Sequence, residues 1–150
     1  MKIVIQLLMA LIGSAGFGLV FNVHGKKLVF AALGGFLTWG VYLLALAFGT
    51  SDYAAAFFAT VAVFFYAELM ARLLRAPVTV FSVVSTIPLI PGAGLYRTMD
   101  ALMQKDYAAF GQQGMYTLLF AASMAAGIVA ATAIVSLVKK KPDLKSDAIR

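Results

Sequence analysis

The chain has no cysteine and a single histidine, His24. The first absence removes disulfides and thiolate chemistry, and the two together leave a protein metal site short of ligands. Charge is scarce as well. Charged residues make up 12% of the 150 positions, where a soluble domain carries about a quarter. Glutamate occurs once, at Glu68, and tryptophan once, at Trp39. No nucleophile–base pair, glycine-rich phosphate loop or paired acidic motif is present, so nothing supports an enzyme and no cofactor is implied.

What is abundant is apolar sequence: 63% of residues are hydrophobic and the mean hydropathy is +0.95. The apolar residues fall in blocks about as long as a bilayer is thick, which makes this an all-α integral membrane protein. Five spans are expected, at about 3–23, 28–48, 53–74, 78–96 and 114–138, with an amphipathic segment at 97–113 and a polar tail at 139–150. The first block is too long for a signal-peptide core and lacks a small-x-small cleavage site, so it is expected to be a retained helix. The net charge of +6 does not point to nucleic acid, because the basic residues flank the apolar blocks. Lys26, Lys27, Arg72, Arg75, Lys139, Lys140, Lys141, Lys145 and Arg150 collect on one face; the other holds Lys2, Arg97 and Lys105, offset by Asp52, Asp100 and Asp106. Positive-inside logic then puts the N-terminus outside and the C-terminus in the cytoplasm.

The fourth block carries Ile87-Pro88-Leu89-Ile90-Pro91-Gly92 near its middle. Each proline lacks an N–H, so the carbonyls of Val84 and Ile87 are expected to lose their helical partners. In hydrocarbon such groups persist only where protein or a water-filled cavity covers them, and a helix broken within the membrane is one way transporters build a substrate site. A kink that merely shapes the helix is the plainer alternative. With Pro91 as the first residue of the resumed helix, Ile90 supplies no capping oxygen, and the amides of Gly92, Ala93 and Gly94 face a ligand with the positive end of the helix dipole. That end suits a carboxylate. The expected substrate site therefore comprises Ser85, Thr86, Pro88, Pro91, Gly92, Ala93, Gly94 and Tyr96, with Asp100 as a more distant contact or a partner for Arg97.

Glu68 lies inside an apolar block, where an ionisable group is expensive. Arg72 follows one turn later at salt-bridge spacing. The spacing leaves open whether the pair snorkels at a helix end or couples an ion to transport. Trp39, Tyr42, Tyr53, Tyr66 and Tyr96 read as interfacial anchors or packing, His24 as a loop residue, and Asn22 as a cap or interhelical bond. Ser14/Gly18, Ala31/Gly35 and Ser123/Gly127/Ala131 follow the small-xxx-small spacing that lets helices approach closely in lipid.

The run from Phe81 to Asp106, with Pro88-Leu89-Ile90-Pro91-Gly92, Tyr96-Arg97 and Lys105-Asp106, resembles the threonine/serine exporter family, in particular its small-subunit type. Gly16-Phe17-Gly18-Leu19-Val20-Phe21-Asn22 and Arg72…Arg75-Ala76-Pro77 fit the same type. The resemblance implies a half-transporter of a roughly ten-helix exporter, completed by a larger subunit. It also implies export of threonine and serine, or of small dicarboxylates, across a bacterial cytoplasmic (inner) membrane. The residues lead independently to a related expectation. An odd span count with one broken helix is what half of an inverted repeat looks like, since repeating five spans flips the second copy. The expected partners are thus that larger subunit of inverted topology, a small-molecule substrate and membrane lipid, with no nucleic acid. The alternatives are a non-transporting scaffold or assembly subunit, and a small channel.

Overall fold

The structure is a computed structural model describing residues 1–140, so the expected polar tail beyond Lys140 lies outside the described residues. All of its elements are helical: α1 (Lys2–Val20), α2 (Lys26–Ala47), α3 (Asp52–Leu73), α4 (Val78–Thr86), a 3-10 turn (Ile87–Leu89), α5 (Gly92–Met103) and α6 (Tyr107–Lys140). Four of them, α1, α2, α3 and α6, are long and apolar enough to cross a membrane. The pair Val78–Leu89 and Gly92–Met103, bent by 50°, makes a fifth crossing if it acts as one broken span. The chain is thus an all-α membrane bundle with a break in its fourth apolar segment.

The helices pack through small residues. α3 sits at the centre against α2, α4 and α6. Its buried positions Ala55, Ala56, Ala59, Val63, Ala67 and Ala71 recur about once per turn on the side facing its neighbours. Gly127 of α6 lies so close to α3 that an added Cβ would stand 2.9 Å from the Phe57 carbonyl oxygen. A Cβ on Gly35 would overlap the Ser14 hydroxyl, and one on Gly34 would overlap that of Ser85. The expected small-residue stripes at Ser14, Gly35 and Gly127 are therefore contact points, and Gly34 joins them. α4 lies across α2 and α3, whereas α5 packs chiefly on α6.

Two apolar clusters mark the ends of the bundle. One gathers Val23, Ala31, Ala67, Met70, Ala71 and Phe81, where the α1–α2 turn, the first half of α2, the end of α3 and the start of α4 meet. The other gathers Tyr42, Ala55, Ala59, Leu89, Phe120 and Met124. Leu89 thus lies level with the first two turns of α3, which is 22 residues and about 33 Å long. The break itself, residues 90–91 between Val78–Leu89 and Gly92–Met103, falls near the middle of the bent pair, as expected. The expected continuous amphipathic stretch at 97–113 is divided. Lys105 adopts φ 60° and Asp106 N donates back to Ala101 O at 3.0 Å, closing α5. Asp106 then caps α6, its Oδ1 accepting from Ala109 N at 3.0 Å. Asn22 ends α1 in the same left-handed way at φ 60°, so its capping role is carried by its backbone.

The break does not leave the carbonyls that the prolines release without partners. Ile87 N donates to Val84 O, and Ile90 N donates to Ile87 O at 3.2 Å. Tightening into a 3-10 turn therefore satisfies both, because a bond to the third residue along needs no N–H from Pro88 or Pro91. α2 supplies the remaining support. Thr38 Oγ1 lies 2.8 Å from both Ser85 O and Gly34 O, and Ser85 Oγ donates to Ala31 O at 3.1 Å. All of these groups are buried. Replacing Thr38 by Val keeps the shape but strands the Ser85 carbonyl, and should cost about 1 kcal/mol. Unfolding in mixed micelles checks this; Thr38→Ser should match wild type, and equal losses in both variants would exclude the hydroxyl as the cause.

Candidate functional site

The turn and the start of α5 face α2 and α6 across a cavity of about 280 Å3. One wall is backbone-rich: Pro88 to Pro91, then Ala93, Gly94 and Arg97. The opposite wall is aromatic, made by Trp39, Tyr42, Tyr116 and Phe120, with Gln113 beside them. The volume lies at the small end of the range for ligand pockets and suits a metabolite of few heavy atoms.

Local chain geometry explains the first wall. Pro91, at φ −77° and ψ 53°, makes an inverse γ-turn in which Gly92 N donates to Ile90 O at 2.7 Å. Pro91 is thereby the residue that caps α5, and Gly92 opens it. Leu95 N makes the first helical bond, to Pro91 O at 3.0 Å, and no side chain caps the terminus. The amides of Ala93 and Gly94 are left as orphan donors among the described residues. Gly94 lets this end approach α6: an added Cβ would stand 2.5 Å from Thr117 Oγ1. Gly92 has open space around it, so its value lies in the turn and not in close approach.

The second wall is tied in place. Tyr116 Oη donates to Asp52 Oδ2 at 2.8 Å, fastening α6 to the first turn of α3. The Tyr116 ring lies 5.6 Å from Tyr53 and 6.2 Å from Phe120, and Tyr42 lies 5.1 Å from Trp39. The aromatic residues read from sequence as anchors thus form one contiguous wall, Tyr66 and Tyr96 excepted. The lining has one cation, Arg97, and no carboxylate. Arg97 lies one turn beyond Ala93 on α5, so helical periodicity turns it towards the same cavity as the free amides. By inventory the polar part of this lining is donors without an acid. Sequence reasoning had weighed Arg97 as an outer-face charge, as a partner for Asp100 and as part of the family motif, and not as a ligand contact; the i, i+4 spacing from Ala93 is the signal that would have found it.

Of the residues expected at the site, Pro88, Pro91, Ala93 and Gly94 line the cavity. Ser85 lies in the α2–α4 contact, wholly buried, and Thr86 Oγ1 donates to Ser82 O at 2.6 Å. Both hydroxyls serve the helix that ends at the break. Tyr96 is 72% exposed and points away from the cavity lining. Asp100 accepts from Gln104 Nε2 at 2.9 Å on the outer surface of α5. Glu68 and Arg72 form their ion pair at 3.0 Å at the opposite end of the bundle, beside a larger opening of about 450 Å3 between α3, α4 and α6. Arg72 Nε and Nη2 both reach Glu68 Oε1, so this opening is lined by a carboxylate already matched with a cation. The cavity at the break has instead an excess of donors. Among the described residues no group of three acidic, histidine or cysteine side chains is placed to hold a metal.

The Tyr116–Asp52 bond joins a partly buried phenol to a carboxylate, and such charge-assisted bonds contribute about 1.5–3 kcal/mol. Tyr116→Phe should therefore lower stability by about that amount, read as an earlier unfolding midpoint in detergent, with Tyr53→Phe as the control that leaves the bond intact.

No solved structure matches the chain. A family model described as Threonine/Serine exporter, ThrE, matches residues 6–134. The match runs from α1 through most of α6 and takes in both the broken helix and the cavity beside it. That family is one of exporters. With the match spanning most of its length, the chain belongs to the threonine/serine exporter family.

Proposed function

We propose that this chain is a small subunit of a secondary exporter, and that it holds a small carboxylate-bearing metabolite, of the threonine/serine type or a small dicarboxylate, in the cavity at the break. The observation that carries the reading is the cavity's inventory: two orphan helix-end amides and one arginine, with no acid on the lining. Helix-end donors contribute about 0.3–1 kcal/mol each to an anion when exposed and up to about 2 when partly buried. A guanidinium beside them adds a charge-assisted bond. The aromatic wall supplies the apolar remainder of the pocket and holds water back from the bound anion.

In this reading five crossings make one half of an inverted repeat, and a larger subunit of inverted topology supplies the other half. The basic residues of the α1–α2 and α3–α4 turns, together with Lys139 to Lys141, put the N-terminus outside and the C-terminus in the cytoplasm of a bacterial inner membrane. The cavity then lies towards the outer face, where an exporter releases its cargo. Because the chain has no cysteine, single cysteines report position cleanly. Ser51→Cys and Gln104→Cys should label from outside and Arg75→Cys from inside. Labelling of Gln104→Cys from the cytoplasm would make the bent pair a re-entrant loop and the span count even.

Export is the direct test. Arg97→Gln should reduce export about tenfold or more at low substrate while the protein still inserts; Arg97→Lys should fall between the two. Gly92→Ala should export nearly normally, since nothing lies within 4 Å of the added Cβ. A dead Glu68→Gln beside a normal Arg97→Gln would move the chemistry to the ion pair on α3. Undiminished export by the partner without this chain would make it a scaffold.

A further inference from the structure

We propose that the crevice between the end of α1 and α4 seats an anionic phospholipid, with an acyl chain along the crevice and the phosphate at the two basic turns beside it. The site lies at the opposite end of the bundle from the break, and the inference does not rest on the carboxylate reading. The crevice holds about 310 Å3 and is lined by Phe21, Val23, Val80, Val83 and Val84, with Thr79 as its one polar residue. No ionisable group lines it. Phe21 and Val83 are each about half exposed, so the space opens on the bundle surface, where hydrocarbon chains reach it. The opening between α3, α4 and α6 holds Glu68, which repels an anion.

Local chain geometry brings positive charge to the same level. α1 and α3 end alike, with Asn22 at φ 60° and Arg75 at φ 47°. Val23 N then donates to Gly18 O at 2.9 Å, and Ala76 N to Ala71 O at 3.1 Å. The parts meet at Gly18, where an added Cβ would stand 2.5 Å from Leu28 Cδ1 and 3.5 Å from Val84 Cγ1. The first turn of α2, with Lys26 and Lys27, therefore abuts the crevice that Val84 lines. Val23 and Leu28 of one turn also pack in a single apolar cluster with Leu74 and Ala76 of the other. Lys26, Lys27 and Arg75 are exposed at this shared end, and neither turn holds an acid. Gly25 caps α2 without a side-chain bond, which adds the first amides of that helix to the donors here. Positive-inside topology accounts for the basic residues but not for an apolar crevice that ends among them. A phospholipid matches both parts: a chain for the crevice, and a phosphate within reach of side chains that extend towards the headgroups. Free phosphate would leave the crevice unused, and a zwitterionic lipid carries an ammonium that the basic turns oppose.

The full chain, purified in mild detergent, should retain dioleoylphosphatidylglycerol about tenfold better than dioleoylphosphatidylcholine, read by native mass spectrometry. Lys26→Gln combined with Arg75→Gln should remove most of that preference. Lys2→Gln, the same charge change at the far end of α1, should leave it intact. Val83→Phe fills the crevice without altering the charge and should lower retention of the anionic lipid about as much as the double variant. In wild type the unfolding midpoint should rise more with the anionic lipid than with the zwitterionic one, a readout that needs no variant to insert. Equal retention of the two lipids, or wild-type retention in Val83→Phe, overturns the lipid site. An equal rise of the midpoint with inorganic phosphate overturns it as well, in favour of a free-anion site. Arg97→Gln should retain lipid as wild type does whatever its export, so this inference and the transport reading fail separately.

Discussion

Every backbone polar group within a bilayer must find its partner inside the protein, and the rest of this structure turns on how that demand is met at Pro88 and Pro91. Two prolines remove two donors from a nine-residue helix and its extension. The chain answers by tightening into a 3-10 turn, which gives the Val84 and Ile87 carbonyls new donors, while Thr38 reaches across from α2 to the Ser85 carbonyl. Gly34 is glycine because this cross-bond needs α4 to lie almost on the backbone of α2. The hydroxyls of the fourth segment are therefore consumed in holding the break, and the unsatisfied groups move one step along the chain, to the start of α5.

That division separates a docked part from an offered part. α4 is fixed to α2 and α3, and its polar atoms are spoken for. α5 packs chiefly on α6, through Gly94 against Thr117 and Thr98 against Gly114, and it brings Ala93, Gly94 and Arg97 to the cavity. The aromatic wall opposite is fixed independently by the bond from Tyr116 to Asp52. Donors and wall thus meet along α6, which seats α5 through Gly114 and Thr117 and presents Tyr116 and Phe120 to the cavity.

The large features were legible because they depend on composition and period. Apolar block length marks α1, α2, α3 and α6, and the proline–glycine motif marks the broken segment. Pro88, Pro91, Ala93 and Gly94 follow from that motif and line the cavity. Ser85 and Thr86 were misplaced because a hydroxyl near a break reads equally well as ligand contact or as backbone support; only the approach of Thr38 and Ala31, about fifty positions away in sequence, decides it. The turn at Lys105 was missed because it uses a non-glycine residue in the left-handed region, which leaves no glycine to mark the stop. Arg97 and Trp39 were each readable as surface residues until the fold brought both to one cavity.

The dependence of α5 on α6 also bears on how the molecule is made. α1 to α4 pack on one another and are complete once the first half or so of the chain has been synthesised, including the Thr38 bond that stabilises the end of α4. α5 has no comparable surface to settle on until α6 has emerged, because the small residues that seat it, Gly114 and Thr117, come later in sequence. The cavity at the break is therefore complete only once α6 has returned over a segment already in place.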